Sequence, residues 1–197
     1  MEKDRLYMKE IITITTDFGL KDPYHGSLKG AILSVNPQAH LVDITHMIGP
    51  GAISEGSFVL SQSYRYFPRG TVHLAVVDPG VGSRRRPILI ETEDYCFVGP
   101  DNGLFSRAIE NERVVRVVHL TEGSYFRKDV SSTFHGRDIF GPVAAHLTLG
   151  VSTSRFGPEI TDQVVIGRSA PSAEDGAVSG EVIYVDRYGN LVTDIRA

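Results

Sequence analysis

Two short runs of β-branched and aliphatic residues, 10–15 (EIITIT) and 71–77 (TVHLAVV), each run into a loop carrying an aspartate and a glycine, and a segment of helical period lies between them. Runs of that length and make-up read as strands. Leu28, Ala31, Ile32 and Val35, by contrast, recur at i, i+3, i+4 and i+7 and form one apolar helix face. Parallel neighbours in a sheet need a crossover of a dozen or more residues, commonly a helix, so strands alternating with helices predict an α/β fold with a mostly parallel sheet covered by helices. Asp22 and Pro23 read as N-cap and first helical residue, and Asn36-Pro37 as the stop. Further strands are predicted over 41–44, 87–92, 95–98 and 114–120, and a second helix over 52–64. A last helix is marked by Ile139, Val143, His146 and Leu147 and closed by Gly150.

Residues 168–177 (RSAPSAEDGA) turn small and polar and read as a linker. Beyond them, 178–185 alternates as a strand, Arg187-Tyr188-Gly189-Asn190 supplies a turn, and 191–195 returns. A lone hairpin is marginal in water. The expectation is therefore an N-terminal α/β domain over 1–167, a linker over 168–177, and over 178–197 the start of a small β domain that is truncated.

Composition narrows the function. Of 197 residues 41% are hydrophobic and 22% charged, which disfavours disorder, and 20 Lys plus Arg against 24 Asp plus Glu give a net charge of −4. That balance argues against a nucleic-acid or membrane-surface protein. Cys96 is the single cysteine, so neither an internal disulfide nor a cysteine zinc site can form, and its apolar neighbours mark it as a core thiol. The start, Met1-Glu2-Lys3-Asp4-Arg5, has no apolar signal core, and Met8 offers an alternative initiation site; a cytoplasmic protein is expected.

In open α/β sheets ligands collect beyond the carboxyl ends of the strands. Loops 16–22 and 78–86 occupy that position, and 133–138 precedes the last helix. Each feature has a plain structural alternative. Asp17 is a ligand carboxylate or a loop cap, Asp22 a ligand or the helix cap, and His135 a ligand contact or a hydrogen-bonded structural histidine. Gly80-Val81-Gly82 is a weak phosphate signal with no P-loop or complete dinucleotide fingerprint behind it. Arg84-Arg85-Arg86 reads on composition as a solvated loop face. Asp17, His25, Asp43 and His46 are metal-ligand types, but their spacing matches no compact motif, and no metal is expected.

Five segments in order carry a resemblance: TTDFG (15–19), VVDPGVGS (76–83), GPDNGLFS (99–106), TFHGRDIFGPVAAHL (133–147) and VDRYGNLVT (185–193). Together they resemble the S-adenosyl-L-methionine (SAM) hydroxide adenosyltransferases, the hydrolase branch of the family that also holds fluorinating and chlorinating enzymes. The resemblance implies an N-terminal α/β domain and a smaller C-terminal β-barrel domain, assembled as a homotrimer with active sites between subunits. It implies hydrolysis of SAM, as substrate and without a cofactor, to adenosine and L-methionine. The branch's Asp, Arg and His set falls on Asp78, Arg85 and His135; halogenating relatives have an aromatic residue where Asp78 stands. Asp17 matches the carboxylate that grips the ribose hydroxyls and Asp22 one near the methionine amino group. Phe134 and Gly136 flank His135 among the substrate-binding residues, and Asp186 and Asn190 match residues reaching methionine and adenine from a partner subunit, with Tyr188 placed to stack on adenine. Proton removal during attack is the expected chemistry, with His135 or Asp78 as acceptor and His135 preferred; Arg85 would orient the oxygen, and Asp78 would hold Arg85. A halide-using adenosyltransferase and a non-catalytic SAM or adenosine binder are the alternatives.

Overall fold

The computed structural model describes residues 10–167, 171–174 and 177–195. In chain order its elements are β1 (Ile11–Thr16), α1 (Tyr24–Val35), β2 (His40–Thr45), α2 (Ile53–Ser63), β3 (Val72–Val76), β4 (Pro87–Thr92), β5 (Cys96–Pro100), α3 (Ser106–Ile109), β6 (Val114–His119), α4 (Gly141–Thr148), β7 (Glu159–Ile160), β8 (Ser172–Glu174), β9 (Ala177–Ser179), β10 (Val182–Val185) and β11 (Leu191–Thr193). The first seven strands form one sheet in the order β2-β1-β3-β5-β4-β6-β7. Strands β2, β1, β3 and β5 are mutually parallel, as the α/β reading predicts. β4 runs against both β5 and β6, and β7 against β6, so five strands point one way and two the other. The reversal at β4 has a simple cause: only residues 93–95 separate it from β5, too few for a crossover.

Alternation within the strands builds a core on each face of the sheet. On β3, Val72, Leu74 and Val76 join Leu28 and Ile32 of α1 and Val143, Ala144 and Leu147 of α4. Ala75, and Val77 just beyond the strand, point the other way with Leu60 of α2, Leu104 and Phe105. All five residues of β3 are buried, which is why 71–77 reads as an almost continuous apolar run. On β1 the apolar Ile12 and Ile14 face the first core, while Thr13 turns to the opposite face and shares a 2.7 Å hydrogen bond with His73. Cys96 is wholly buried in the first core.

Several local expectations are corrected. The residue preceding α1 is Pro23, with no side-chain cap, so Asp22 does not cap this helix; it lies one residue too far upstream. Ahead of α4, residues Gly136–Phe140 form a π turn in which Gly141 N–H donates to Gly136 O. Apolar spacing alone does not reveal such a turn. Residues 172–174, expected as linker, form β8 and pair with β9; three residues are too few to carry an alternation signal. β10 and β11 make the expected hairpin, which rests on α2 through Phe58 and Tyr184, ring centroids 4.9 Å apart. The start near Met8 and residues 168–170, 175–176 and 196–197 lie outside the described residues. Among the described residues no helix is long and apolar enough to cross a membrane.

Candidate active site

β1 and β3 are parallel neighbours with Thr16 opposite Val76, so the loops that follow them leave the carboxyl end of the sheet side by side. Asp17 and Asp78 therefore stand at adjacent carboxyl ends of strands, where a parallel sheet offers its ligand crevice. Asp17 is half-buried, and its Oδ2 accepts from the Gly51 amide at 2.8 Å. Its Oδ1 receives no hydrogen bond among the described residues.

After Asp78 the chain folds through two successive turns, Val81 N–H to Asp78 O (3.2 Å) and Ser83 N–H to Gly80 O (3.1 Å). Gly82 takes a φ of +76°, and a Cβ there would stand 2.5 Å from the Ser132 carbonyl oxygen. Only glycine lets this loop press against the loop that carries His135. The glycines of 80–82 thus serve a close approach between two loops.

The approach brings Arg85 over Asp78. Arg85 Nε donates to Asp78 Oδ1 at 3.0 Å and Nη2 donates to Asp78 Oδ2; Nη2 also lies 3.1 Å from His135 Nδ1. The guanidinium packs over the Phe140 ring at 5.3 Å. Side-chain exposures of 6% for Arg85 and 5% for Asp78 make this a desolvated pair. Arg85 Nη1 is buried with no hydrogen-bond partner among the described residues. Such a donor is costly to leave unpaired, so it marks a place where another oxygen belongs. Burial, and after it the Arg85 charge, hold His135 below the ordinary histidine value, against an opposite pull from Asp78 and Asp138.

The loop that carries His135 is tied down through Asp138. Asp138, wholly buried, accepts from Ser131 N–H at 2.9 Å and from Arg137 Nε and Nη2 at 2.6 and 2.9 Å, with Arg127 Nε at 3.5 Å. Burial pushes Asp138 up, but the Arg137 and Ser131 hydrogen bonds and the neighbouring charges outweigh it and keep the carboxyl below its usual range. Beside His135, Phe134 meets Phe18 and Tyr24 edge-on, centroids 5.6 Å apart in each case, and Arg137 covers Phe134 at 4.9 Å. A Cβ on Gly136 would come 3.1 Å from Phe18 Cζ, so glycine there leaves room for this aromatic group. Phe18 and Tyr24 were not singled out as site residues from the sequence; the available signal was an aromatic residue in the loop after β1 and another at the first position of α1.

Other candidates fall elsewhere. Asp22 is exposed and makes no hydrogen bond or ion pair among the described residues. Asp186 closes the β10–β11 turn, accepting from the Tyr188 and Asn190 amides at 2.8 Å each and from Asn190 Nδ2 at 2.6 Å. Tyr188 is 90% exposed at that hairpin tip. Within one chain, among the described residues, no hydrogen bond, ion pair or ring contact links these three residues to Asp78, Arg85 or His135. Of the arginine triplet only Arg84 is a solvated residue. Arg86 binds Asp101 through Nε and Nη2 (2.9 and 2.7 Å) and Asp162 through Nη1 (2.8 Å), which corrects the reading of 84–86 as one solvated face. Among the described residues no group of three or more His, Cys, Asp or Glu is placed to hold a metal ion; His25 and His46 stand ring to ring at 5.1 Å, and His46 Nδ1 is engaged by Thr16.

Carboxylates at adjacent strand ends, with a guanidinium–imidazole pair over one of them, define an α/β protein with a candidate ligand site at the carboxyl end of its sheet. Comparison with known proteins makes this specific. The sequence profile of the SAM hydroxide adenosyltransferase N-terminal domain matches residues 12–157. An (R)-S-adenosyl-L-methionine hydrolase of Salinispora tropica is 42% identical over 91% of this chain and 70% of its own length, and one of Methanocaldococcus jannaschii 40% identical over 97% and 70%. A crystal structure of an uncharacterized conserved protein from Thermotoga maritima superposes with a TM-score of 0.88 at 41% identity, covering 93% of this chain and 71% of that one. A fluorinase of an Actinoplanes species is more distant, at 24% identity. The chain belongs to the SAM hydroxide adenosyltransferase family.

Proposed function

We propose that this chain hydrolyses SAM to adenosine and L-methionine, with a water-derived oxygen attacking the 5′ carbon at a site built on Asp78, Arg85 and His135. The observation that carries the reading is the buried Nη1, unpartnered among the described residues, of a guanidinium whose Nε and Nη2 are already engaged by Asp78 and His135. A donor fixed on every other side is preorganised for an oxygen that gains negative charge.

In the proposed step the C5′–O bond forms as the C5′–S bond breaks, and sulfur takes the electron pair to become neutral thioether. The water proton passes to His135 Nδ1 as Arg85 Nη2 releases it, and from there to solvent. Positive charge thus moves from sulfonium to imidazolium and is conserved within the site. Full ionisation of water beforehand would demand a pKa drop from ~15.7 to ~7, roughly 12 kcal/mol at 1.36 kcal/mol per unit. Proton removal during attack asks for about 3–5 kcal/mol, the ordinary reach of general-base assistance. Attack of a developing hydroxide on a sulfonium disperses charge, so a dry pocket favours it over water.

Asp17, whose Oδ1 receives no hydrogen bond among the described residues, is the proposed ribose-diol ligand, and Phe18, Tyr24 and Phe134 a flanking apolar wall. Asp186, Tyr188 and Asn190 make no contact with the Asp78 cluster in their own chain. They enter the proposal as ligands presented to a neighbouring subunit of a homotrimer, with Tyr188 free to stack. Against a halide nucleophile stands the Asp78 carboxylate, which neutralises Arg85 where an anion would need its charge.

The test is incubation with SAM in ¹⁸O-labelled water containing chloride. Label in the 5′-hydroxyl of adenosine supports hydrolysis. A 5′-chlorinated nucleoside, or binding without turnover, replaces this reading with one of the two alternatives.

A further inference from the structure

His46 follows β2, and its imidazole is buried with 3% exposure. Its Nδ1 lies 2.7 Å from Thr16 Oγ1, and the same hydroxyl oxygen accepts from Phe18 N–H at 3.3 Å. The His46 carbonyl accepts from Gly19 N–H at 2.7 Å, and Ile48 N–H donates to Thr16 O at 3.4 Å. Residues on both sides of Asp17 are therefore tied to one short stretch of chain. Gly51, a few residues further along it, holds the Asp17 carboxylate itself.

Behind the imidazole, Nε2 stands 3.2 Å from Asp43 Oδ1, while Lys29 Nζ donates to Asp43 Oδ2 at 2.6 Å. Burial holds His46 below the ordinary histidine value, against the attraction of Asp43 and with the help of Lys29 and His25. In a neutral ring protonated on Nε2, Nδ1 accepts the Thr16 hydroxyl proton; Nε2 makes no hydrogen bond among the described residues, so its approach to Asp43 is an electrostatic contact. The order carboxylate, imidazole, hydroxyl is that of a hydrolytic triad, but Thr16 Oγ1 is fully buried and cannot meet a substrate. The chain of contacts is a strut.

We propose that His46 is a positioning residue: through Thr16 on one side and Gly19 on the other it fixes the direction of the Asp17 carboxylate and so sets the affinity for the ribose diol. The inference rests on the reading of Asp17 as the ribose ligand. Asp43, itself bound by Lys29, acts at one remove through its charge beside the ring.

The experiment measures binding of adenosine and of 2′-deoxyadenosine by calorimetry to wild type and to Asp17→Ala, His46→Leu, His46→Asn and Thr16→Val. Asp17→Ala should weaken adenosine about tenfold or more and abolish the preference over the deoxy analogue. His46→Leu and Thr16→Val should lose most of that preference. His46→Asn, whose amide reaches the Nδ1 position, should return to within about threefold of wild type. The double variant Asp17→Ala/His46→Leu should be no worse than Asp17→Ala, because His46 acts only through Asp17. If Asp17→Ala keeps the preference, the ribose reading fails and this one falls with it. If Asp17→Ala loses it while Thr16→Val, or a folded His46→Leu, retains it, the positioning role alone is overturned. Equal losses in His46→Asn and His46→Leu overturn it too. Thr16→Val keeps the test decisive should His46→Leu not fold.

Discussion

Arg85 Nη2 and His135 Nδ1 lie 3.1 Å apart, and because a guanidinium can only donate, the imidazole must accept at Nδ1 and carry its proton on Nε2. The lone pair proposed to receive the water proton therefore already points at the group that holds the water. A contact of this kind suppresses protonation of the resting ring and leaves a neutral acceptor.

The pH profile follows from that arrangement. His135 sits below the ordinary histidine value of ~6.5 because of burial and Arg85, so kcat/KM should stay level through neutrality and fall only on an acid limb below ~6.5. Asp78 raises the proton affinity of His135 and Arg85 lowers it. In Asp78→Asn the limb of the residual activity should move further down, and in Arg85→Ala it should move up. A limb that stays in place in both variants would show that another group titrates.

Three consecutive arginines should give three different phenotypes. Arg85→Ala removes the donor to the nucleophile and should lower kcat by ~10²-fold or more with a small change in KM. Arg84 is exposed without a partner among the described residues, and Arg84→Ala should leave both parameters within about twofold. Arg86→Ala strands Asp101, whose side chain is 2% exposed and which also accepts from Val164 N–H at 2.7 Å. That should cost about 3 kcal/mol of stability while kcat of the folded fraction holds. Steady-state kinetics with urea unfolding separates the three, and equal turnover losses would sink the assignment.

The contrast among those arginines shows what the sequence can disclose. Strand β1 was legible as a β-branched run of alternating Ile and Thr and β3 as a nearly continuous apolar run, because both are buried on both sheet faces, and both loops were legible because an aspartate and a glycine follow each strand. Asp78, Arg85 and His135 were found through motif blocks. Their contact was not derivable locally, since His135 is 50 residues from Arg85 and the bond depends on Gly82 admitting the Ser132 carbonyl. The Asp17–Gly51 and Arg86–Asp101 bonds span 34 and 15 residues, distances at which neither helical nor strand periodicity carries information. Asp22 misled for the opposite reason: Asp-Pro is a good local cap signal, and the helix begins a residue later than it implies.

His73 should make the fold acid-sensitive. It is wholly buried among Tyr64, Phe67, Tyr95 and Phe97, and burial pushes it down to about 3. A folded-state value below the unfolded ~6.5 means that the unfolded chain binds the extra proton first. Stability is then undiminished above ~6.5 and declines as pH falls toward 3, by up to about 1.4 kcal/mol per pH unit from this residue. His46, His119, His135 and His146 are lowered as well and add to the slope. The double variant Thr13→Val/His73→Leu, which replaces both hydrogen-bond partners by apolar side chains, should flatten the pH dependence of urea unfolding between about pH 6.5 and 4 by up to one proton. An unchanged slope would mean that His73 is protonated inside the fold.

Subunit mixing tests the proposed shared site. Asp186, Tyr188 and Asn190 occupy a hairpin tip with no contact to Asp78, Arg85 or His135 in their own chain, and Tyr188 is almost fully exposed. If a partner supplies these residues, activity should rise with protein concentration in step with assembly, and dilute monomer should be inactive. A His135→Ala variant and an Asn190→Ala variant, each impaired alone, should regain part of the lost activity when mixed under subunit exchange. Some interfaces of the mixed trimer then join an intact Arg85–His135 pair on one chain to an intact Asn190 on the next. Asn190 also closes its own turn through the 2.6 Å bond to Asp186, so Asn190→Asp and Asn190→Ala should both be mixed with His135→Ala. Recovery in neither mixture, with exchange verified by mass spectrometry, would place the whole site within one chain.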